Sequence, residues 1–154
     1  MEKYELAKDI MVMYVPAESF PEGIQPAFDK LHSRLPSKDD RTLFGISWPA
    51  KSGKIMYKAA AEEKYSGEGK KYEMETFTIT KGTYISELLK DYKKDPSQIG
   101  DTFRQLLQHP ELDTNSYCLE WYKGNDDVLC LVKLDPTKER RTKEGASTIS
   151  VDKF

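Results

Sequence analysis

The chain has 154 residues, 24 basic against 26 acidic, and a formal net charge of −2. That balance excludes the basic excess of a dedicated nucleic-acid binder, and no apolar run approaches the ~18 residues of a membrane span. A chain of this length fits one domain that buries roughly two-thirds of its surface on folding.

The start, MEKYELAKDI, lacks the apolar stretch of a signal peptide, so the expected location is cytoplasmic. DIMVMYVP, residues 9–16, is the first predicted strand, ended by Pro16. Ser19, with Glu22 three residues on, has capping-box spacing and opens a predicted helix that runs to Leu35. Its apolar stripe is Ile24, Ala27, Phe28, Leu31 and Leu35. Pro26 falls near the start, where proline is tolerated, and Pro36 stops the helix. Strand TLFGISW, the turn KSG and strand KIMYKAAAEE follow. A polar loop, KYSGEGKK, leads to strand YEMETFTIT.

GTYISELLKDYKKDP carries Ile85, Leu88, Leu89 and Tyr92 at helical spacing, which predicts an extra short helix. A second main helix is predicted from Pro96 to Gln108, with the stripe Ile99, Phe103, Leu106 and Leu107. Strand SYCLEWYK, turn GNDD and strand VLCLVKL complete the ordered part, and the last strand reads as an edge open to another copy. Residues 1–135 therefore read as the domain and 136–154 as a polar, flexible tail, in which KERRTK is a solvated charge run and TISVDKF a weak edge strand.

The chain repeats itself 75 positions on. Ile24, Phe28 and Leu31 return as Ile99, Phe103 and Leu106. Leu43 matches Cys118, Ile46 matches Trp121, and Ile55, Met56 and Tyr57 match Cys130, Leu131 and Val132. The expected fold is α+β: two strand–helix–hairpin modules related by a pseudo-twofold, an antiparallel sheet with helices on one face, and a central ligand cleft. GTYISELLKDYKKDP reads as an insertion that only the second module carries.

Two cysteines make no disulfide framework, and Cys118 and Cys130 read as buried reduced thiols. His32 and His109 have no ligand spacing to them, so no metal or cofactor is expected.

One residue stands out. In SYCLEWYK, strand alternation puts Tyr117, Leu119 and Trp121 on one face and Cys118, Glu120 and Tyr122 on the other. Leu119 and Trp121 match Phe44 and Ile46, all large and apolar, which assigns that face to the helices. Glu120 then falls on the opposite face among apolar neighbours, where the first module has Gly45. Tyr122 stands where the first module has Ser47, so room is left across the seam. Aromatic residues available to line that space are Tyr122, Tyr84 and Tyr57, with Trp48 reaching it only if its strand twists. A carboxylate in such a place takes up a proton, or pairs with a cation that rings also stabilise, by ~0.5–2 kcal/mol each. The bland alternative is a solvated Glu120, or one paired with Lys58 or Lys133.

MVMYVPAESF, AFDKLHSRL, LFGISWP, KGTY, IGDTFRQLLQHPEL, YCLEWY and DVLCLVKL, in that order and spacing over residues 9–134, resemble the GyrI-like family. Its members are effector-binding domains of bacterial multidrug-responsive and AraC-type regulators, and stand-alone gyrase-inhibitor-like proteins. The resemblance implies a tandem-module fold around a cleft and a glutamate, here Glu120, that binds the cationic part of hydrophobic ligands. It maps family tyrosines onto Tyr84 and Tyr122. No helix-turn-helix precedes residue 9, so a stand-alone ligand-binding domain without direct nucleic-acid binding is expected.

The expected partner is a hydrophobic or cationic small molecule. Two alternatives are open. One is a hydrolase of strained natural products with Glu120 as general base and Tyr84 or Tyr122 as donor. The other is an interaction protein for a gyrase or a regulator.

Overall fold

The structure, a computed structural model, describes residues 1–36 and 40–138. KERRTK after its first residue, Lys138, and all of TISVDKF lie outside the described residues, as does part of the loop after Pro36.

Eight antiparallel strands form one sheet. They are β1 (Glu2–Leu6), β2 (Ile10–Pro16), β3 (Leu43–Pro49), β4 (Ile55–Glu62), β5 (Glu75–Ile79), β6 (Gly82–Leu89), β7 (Cys118–Lys123) and β8 (Asp127–Lys133). Helix α1 (Ile24–Arg34) joins β2 to β3, the short α2 (Glu68–Lys71) follows β4, and α3 (Ser97–Leu106) lies between β6 and β7. The sheet order is β1-β6-β8-β7-β3-β4-β2-β5. Read from either end, the order presents equivalent strands, so the pseudo-twofold runs between β3 and β7, at the pair Gly45 and Glu120.

This order corrects the reading of the second module. The stretch predicted as an inserted helix is β6, the counterpart of β2, followed by one 3₁₀ turn at Tyr92–Lys94. Short apolar runs fit both periods, and here the ladders decide: β6 pairs with β8 on one side and β1 on the other. Tyr84 and Ile85 point to opposite faces and are both buried, whereas Leu88 is 46% exposed, a strand pattern rather than a helical stripe.

The duplication therefore begins at β1, whose counterpart is β5. The two outermost strands are exchanged: β1 pairs with β6 of the second module, and β5 with β2 of the first. Residues 2–6 carry little strand signal in the sequence, because only Tyr4 and Leu6 mark the buried side. The edges of the sheet are β1 and β5, so β8 is internal and not an edge.

The gapless match also drifts. Ser47 pairs with Tyr57 and Tyr122 with Val128, so the counterpart of Tyr57 is Val128 rather than Val132. The β7–β8 hairpin closes on residues 124–126, against 50–54 for β3–β4.

Both long helices pack on one face, but it is the face opposite to the one expected. Helix α1 contributes Ala27 and Leu31 to a cluster with Met13, Val15, Tyr57, Ala59 and Ala61. Helix α3 contributes Phe103 and Leu106 to a cluster with Ile85, Val128, Cys130 and Val132. Phe44, Ile46, Leu119 and Leu131 fill the other, helix-free face. Large apolar side chains there signalled burial correctly, but it is the curl of the sheet that buries them. Tyr4 on β1 reaches Trp121 on β7, with ring centroids 5.9 Å apart, across two intervening strands.

Helix ends differ slightly from the expectation. Helix α1 starts after Gly23, whose N–H donates to the Ser19 carbonyl at 3.1 Å, so Ser19 closes a turn and does not cap with its side chain. A Cβ at Gly23 would lie 2.5 Å from that carbonyl oxygen, which makes glycine obligatory. Helix α3 ends at Leu106, leaving Leu107 45% exposed. No helix among the described residues is long and apolar enough to cross a membrane.

Candidate functional site

Glu120 sits at the centre of the sheet on the helix-covered face, 8% exposed. Its strand brings in Cys118 and Tyr122 on the same side, and the neighbouring β8 places Cys130 directly opposite. The Tyr57 hydroxyl, from β4 in the first module, donates to Glu120 Oε1 at 2.8 Å. The Tyr122 hydroxyl donates to the same oxygen at 2.5 Å. Glu120 Oε2 accepts no hydrogen bond among the described residues, yet it is not sealed from solvent.

Gly45 makes this arrangement fit. A Cβ there would lie 2.0 Å from the Tyr57 hydroxyl and 2.6 Å from Glu120 Oε1. The room expected across from Glu120 thus exists, and Tyr57 reaches through it.

Electrostatics follow from burial. Desolvation raises the Glu120 carboxyl above its ordinary 4.5, and the two tyrosine donors offset part of that rise. Burial and the nearby carboxylate push Tyr57 and Tyr122 well above 10. Cys118 rises to about 11 and Cys130 further still, both chiefly by burial, so neither is a thiolate near neutrality.

Aromatic rings surround the acid. Phe28 of α1 meets Tyr57 and Tyr122 edge-on, at centroid distances of 6.3 and 5.9 Å. Tyr92 lies 5.7 Å from Tyr122, and Phe20 lies 6.1 Å from Tyr57. Outside them a cleft of about 450 Å³ opens between α1 and the 3₁₀ turn, lined by Ile24, Phe28, Leu43, Tyr92, Pro96 and Tyr122. Gln25 and two exposed basic side chains, His32 and Lys93, also line it. Glu120 lies behind Tyr122, whose hydroxyl holds the carboxylate while its ring faces the cleft.

Of the residues expected at the site, Glu120, Tyr122 and Tyr57 come together. Tyr84 and Trp48 do not. Tyr84 is fully buried on the helix-free face, where its hydroxyl donates to the Thr80 carbonyl at 2.5 Å and lies 3.0 Å from that of Tyr117. Trp48 shares that face, as strand parity requires. Neither lysine considered as a partner pairs with the acid. The Lys58 ammonium stacks on Tyr14, Trp48 and Phe77, and Lys133 donates to Thr80 Oγ1 at 2.5 Å. Sequence reasoning missed Phe28 and Tyr92 because both served as helix-stripe residues.

No protein-family profile and no curated protein sequence matches the chain. Solved structures do match in fold. The protein SAV2435, bound to tetraphenylphosphonium, superposes with a TM-score of 0.63 over 92% of this chain and 99% of its own, at 12% identity. An integron cassette protein from Vibrio cholerae gives 0.59 at 12% identity, covering 87% of this chain and 95% of its own. A hydrolase from Listeria innocua gives 0.54 at 9% identity, covering 87% and 90%. At such identities the likeness is one of fold, and it is the curled, duplicated sheet with paired helices that the chain shares with these proteins.

Proposed function

We propose that this chain is a small-molecule receptor of GyrI-like type that binds hydrophobic organic cations in the cleft between its helices. One observation carries the reading: Glu120 is a buried carboxylate with two neutral donors on one oxygen and no cation beside it among the described residues. Such a group lacks a positive charge, and a ligand is the natural source of one. Phe28, Tyr92 and Tyr122 supply ring faces, each worth ~0.5–2 kcal/mol to a cation. Apolar burial adds about 25 cal/mol per Å². Together these support roughly micromolar affinity, about −8 kcal/mol. The cleft volume suits a drug-sized body. The fold shared with a protein bound to tetraphenylphosphonium agrees with this reading.

The test is titration with tetraphenylphosphonium. Wild type should bind, and Glu120→Gln should bind at least tenfold more weakly. Equal affinities would remove the charge pairing from the account.

A second reading makes Glu120 a general base for hydrolysis. Its raised proton affinity suits that role. Both tyrosines occupy Oε1, so Oε2, which accepts no hydrogen bond among the described residues, would be the oxygen that takes the proton. Turnover of an electrophilic cyclopropane by wild type, lost in Glu120→Ala, would favour this reading.

A further inference from the structure

The helix-free face holds a second cavity that Glu120 does not touch. It measures about 360 Å³ and lies between Trp48, Phe77, Tyr117, the 114–116 loop and Lys58. Lys58 follows Tyr57 on β4, so strand alternation sends the two side chains to opposite faces. The Lys58 ammonium lies 4.3 Å from the ring centroids of Tyr14 and Phe77 and 4.7 Å from that of Trp48.

Three rings hold this ammonium, but no carboxylate among the described residues comes within ion-pair distance of it. The Glu75 carboxylate beside the cage accepts the Tyr14 hydroxyl at 2.7 Å. Burial lowers the proton affinity of Lys58, and Glu75 offsets only part of that. Ring quadrupoles attract a cation without neutralising it. The cavity wall therefore carries one positive charge, only partly offset by Glu75, among flat apolar surfaces.

The 114–116 loop lines the cavity with Thr114, Asn115 and Ser116, whose Oγ is shut from solvent.

We propose that this cavity binds a small organic anion with a flat apolar body, an aryl carboxylate or sulfonate, whose acid group sits on the Lys58 ammonium. The ring or rings of the ligand lie against Trp48, Phe77 and Tyr117. Lysine serves such a group as a compact charge with rotatable donors. The volume accommodates a one- or two-ring acid. This site is independent of the cation cleft. The two lie on opposite faces of one sheet and carry charges of opposite sign.

The test is calorimetric titration of the full chain with naphthalene-2-sulfonate and with its uncharged analogue naphthalene-2-sulfonamide. Wild type should bind the sulfonate at least tenfold more tightly than the sulfonamide. Lys58→Met should abolish that difference, and Glu120→Gln should leave it unchanged. Equal binding of the two probes by wild type, or no binding of the sulfonate at millimolar concentration, would overturn the proposal. So would equal sulfonate affinity in wild type and Lys58→Met, or loss of it in Glu120→Gln. The comparison of two probes on wild type stands even if Lys58→Met folds poorly.

Discussion

The two modules share a backbone plan and differ where they meet. At the pseudo-twofold the first module supplies Gly45 and Ser47, and the second supplies Glu120 and Tyr122. The first then returns Tyr57, where the second has Val128. Neither module holds the complete site. Duplication provided two superposable frames, and the chemistry comes from the positions at which they stopped matching. A glycine is as much part of that chemistry as the acid, because its missing side chain is what lets Tyr57 cross the seam.

A second asymmetry tests how far the modules are held by different means. Arg41, just before β3, makes a bidentate ion pair with Glu68 of α2, and both are almost fully buried. Arg41 also donates to the Glu62 carbonyl at 3.1 Å. The corresponding step before β7 is Ser116, so the second module has no such tie there. Arg41→Ala takes the guanidinium away from a buried carboxylate that still accepts the Lys64 N–H, and should cost about 3–5 kcal/mol. Urea unfolding measures it, and Ser116→Ala serves as the control, with an effect far smaller.

Gly45→Ala breaks the seam itself. Its Cβ meets Tyr57 and Glu120 at distances no methyl tolerates, so Tyr57 must leave the carboxylate. A stability loss of about 1–3 kcal/mol is expected, as for other overpacked cores. Tetraphenylphosphonium affinity should fall with it. Thermal melts and the same titration check both.

Tyr122→Phe sharpens the comparison with a smaller change. It keeps the ring that lines the cleft and deletes one donor to Glu120. A hydrogen bond to a charged group is worth about 1.5–3 kcal/mol. The carboxylate should bind its proton more tightly, and cation affinity at neutral pH should drop roughly tenfold, the equivalent of about 1.4 kcal/mol. Binding across a pH series separates this from lost packing, because at high pH the variant should recover part of its affinity.

Much of this was legible in the sequence. Helix stripes at i, i+4 and i+7 placed α1 and α3, and the β3–β4 and β7–β8 hairpins stood where strand chemistry put them. The odd residue, Glu120 against Gly45, was visible in the repeat alone. The largest failure comes from non-local pairing. Residues 82–89 fit a helix or a strand locally, and only the ladders with β1 and β8 choose. The helix-bearing face was inverted because a curled sheet buries its concave side without helices, and a single chain read in order gives no sign of curl. The predicted inserted helix and the family resemblance put Tyr84 in the cleft, but its place on strand β6 puts it on the other face; Trp48 needs a twist of its strand, which does not bring it to Glu120. Tyr57 was found by its place in the hairpin, which register preserves.

The central claim is that Glu120 is a buried acid awaiting a positive charge. Carbon-13 NMR of its side-chain carboxyl, followed through a pH titration, tests this directly. Without ligand the midpoint should lie above 4.5, since burial favours the protonated form. With saturating tetraphenylphosphonium it should move down, because the cation favours the carboxylate. By linkage, cation affinity then rises with pH until the free-protein midpoint is passed. A midpoint at the ordinary value, unmoved by the cation, would contradict the account.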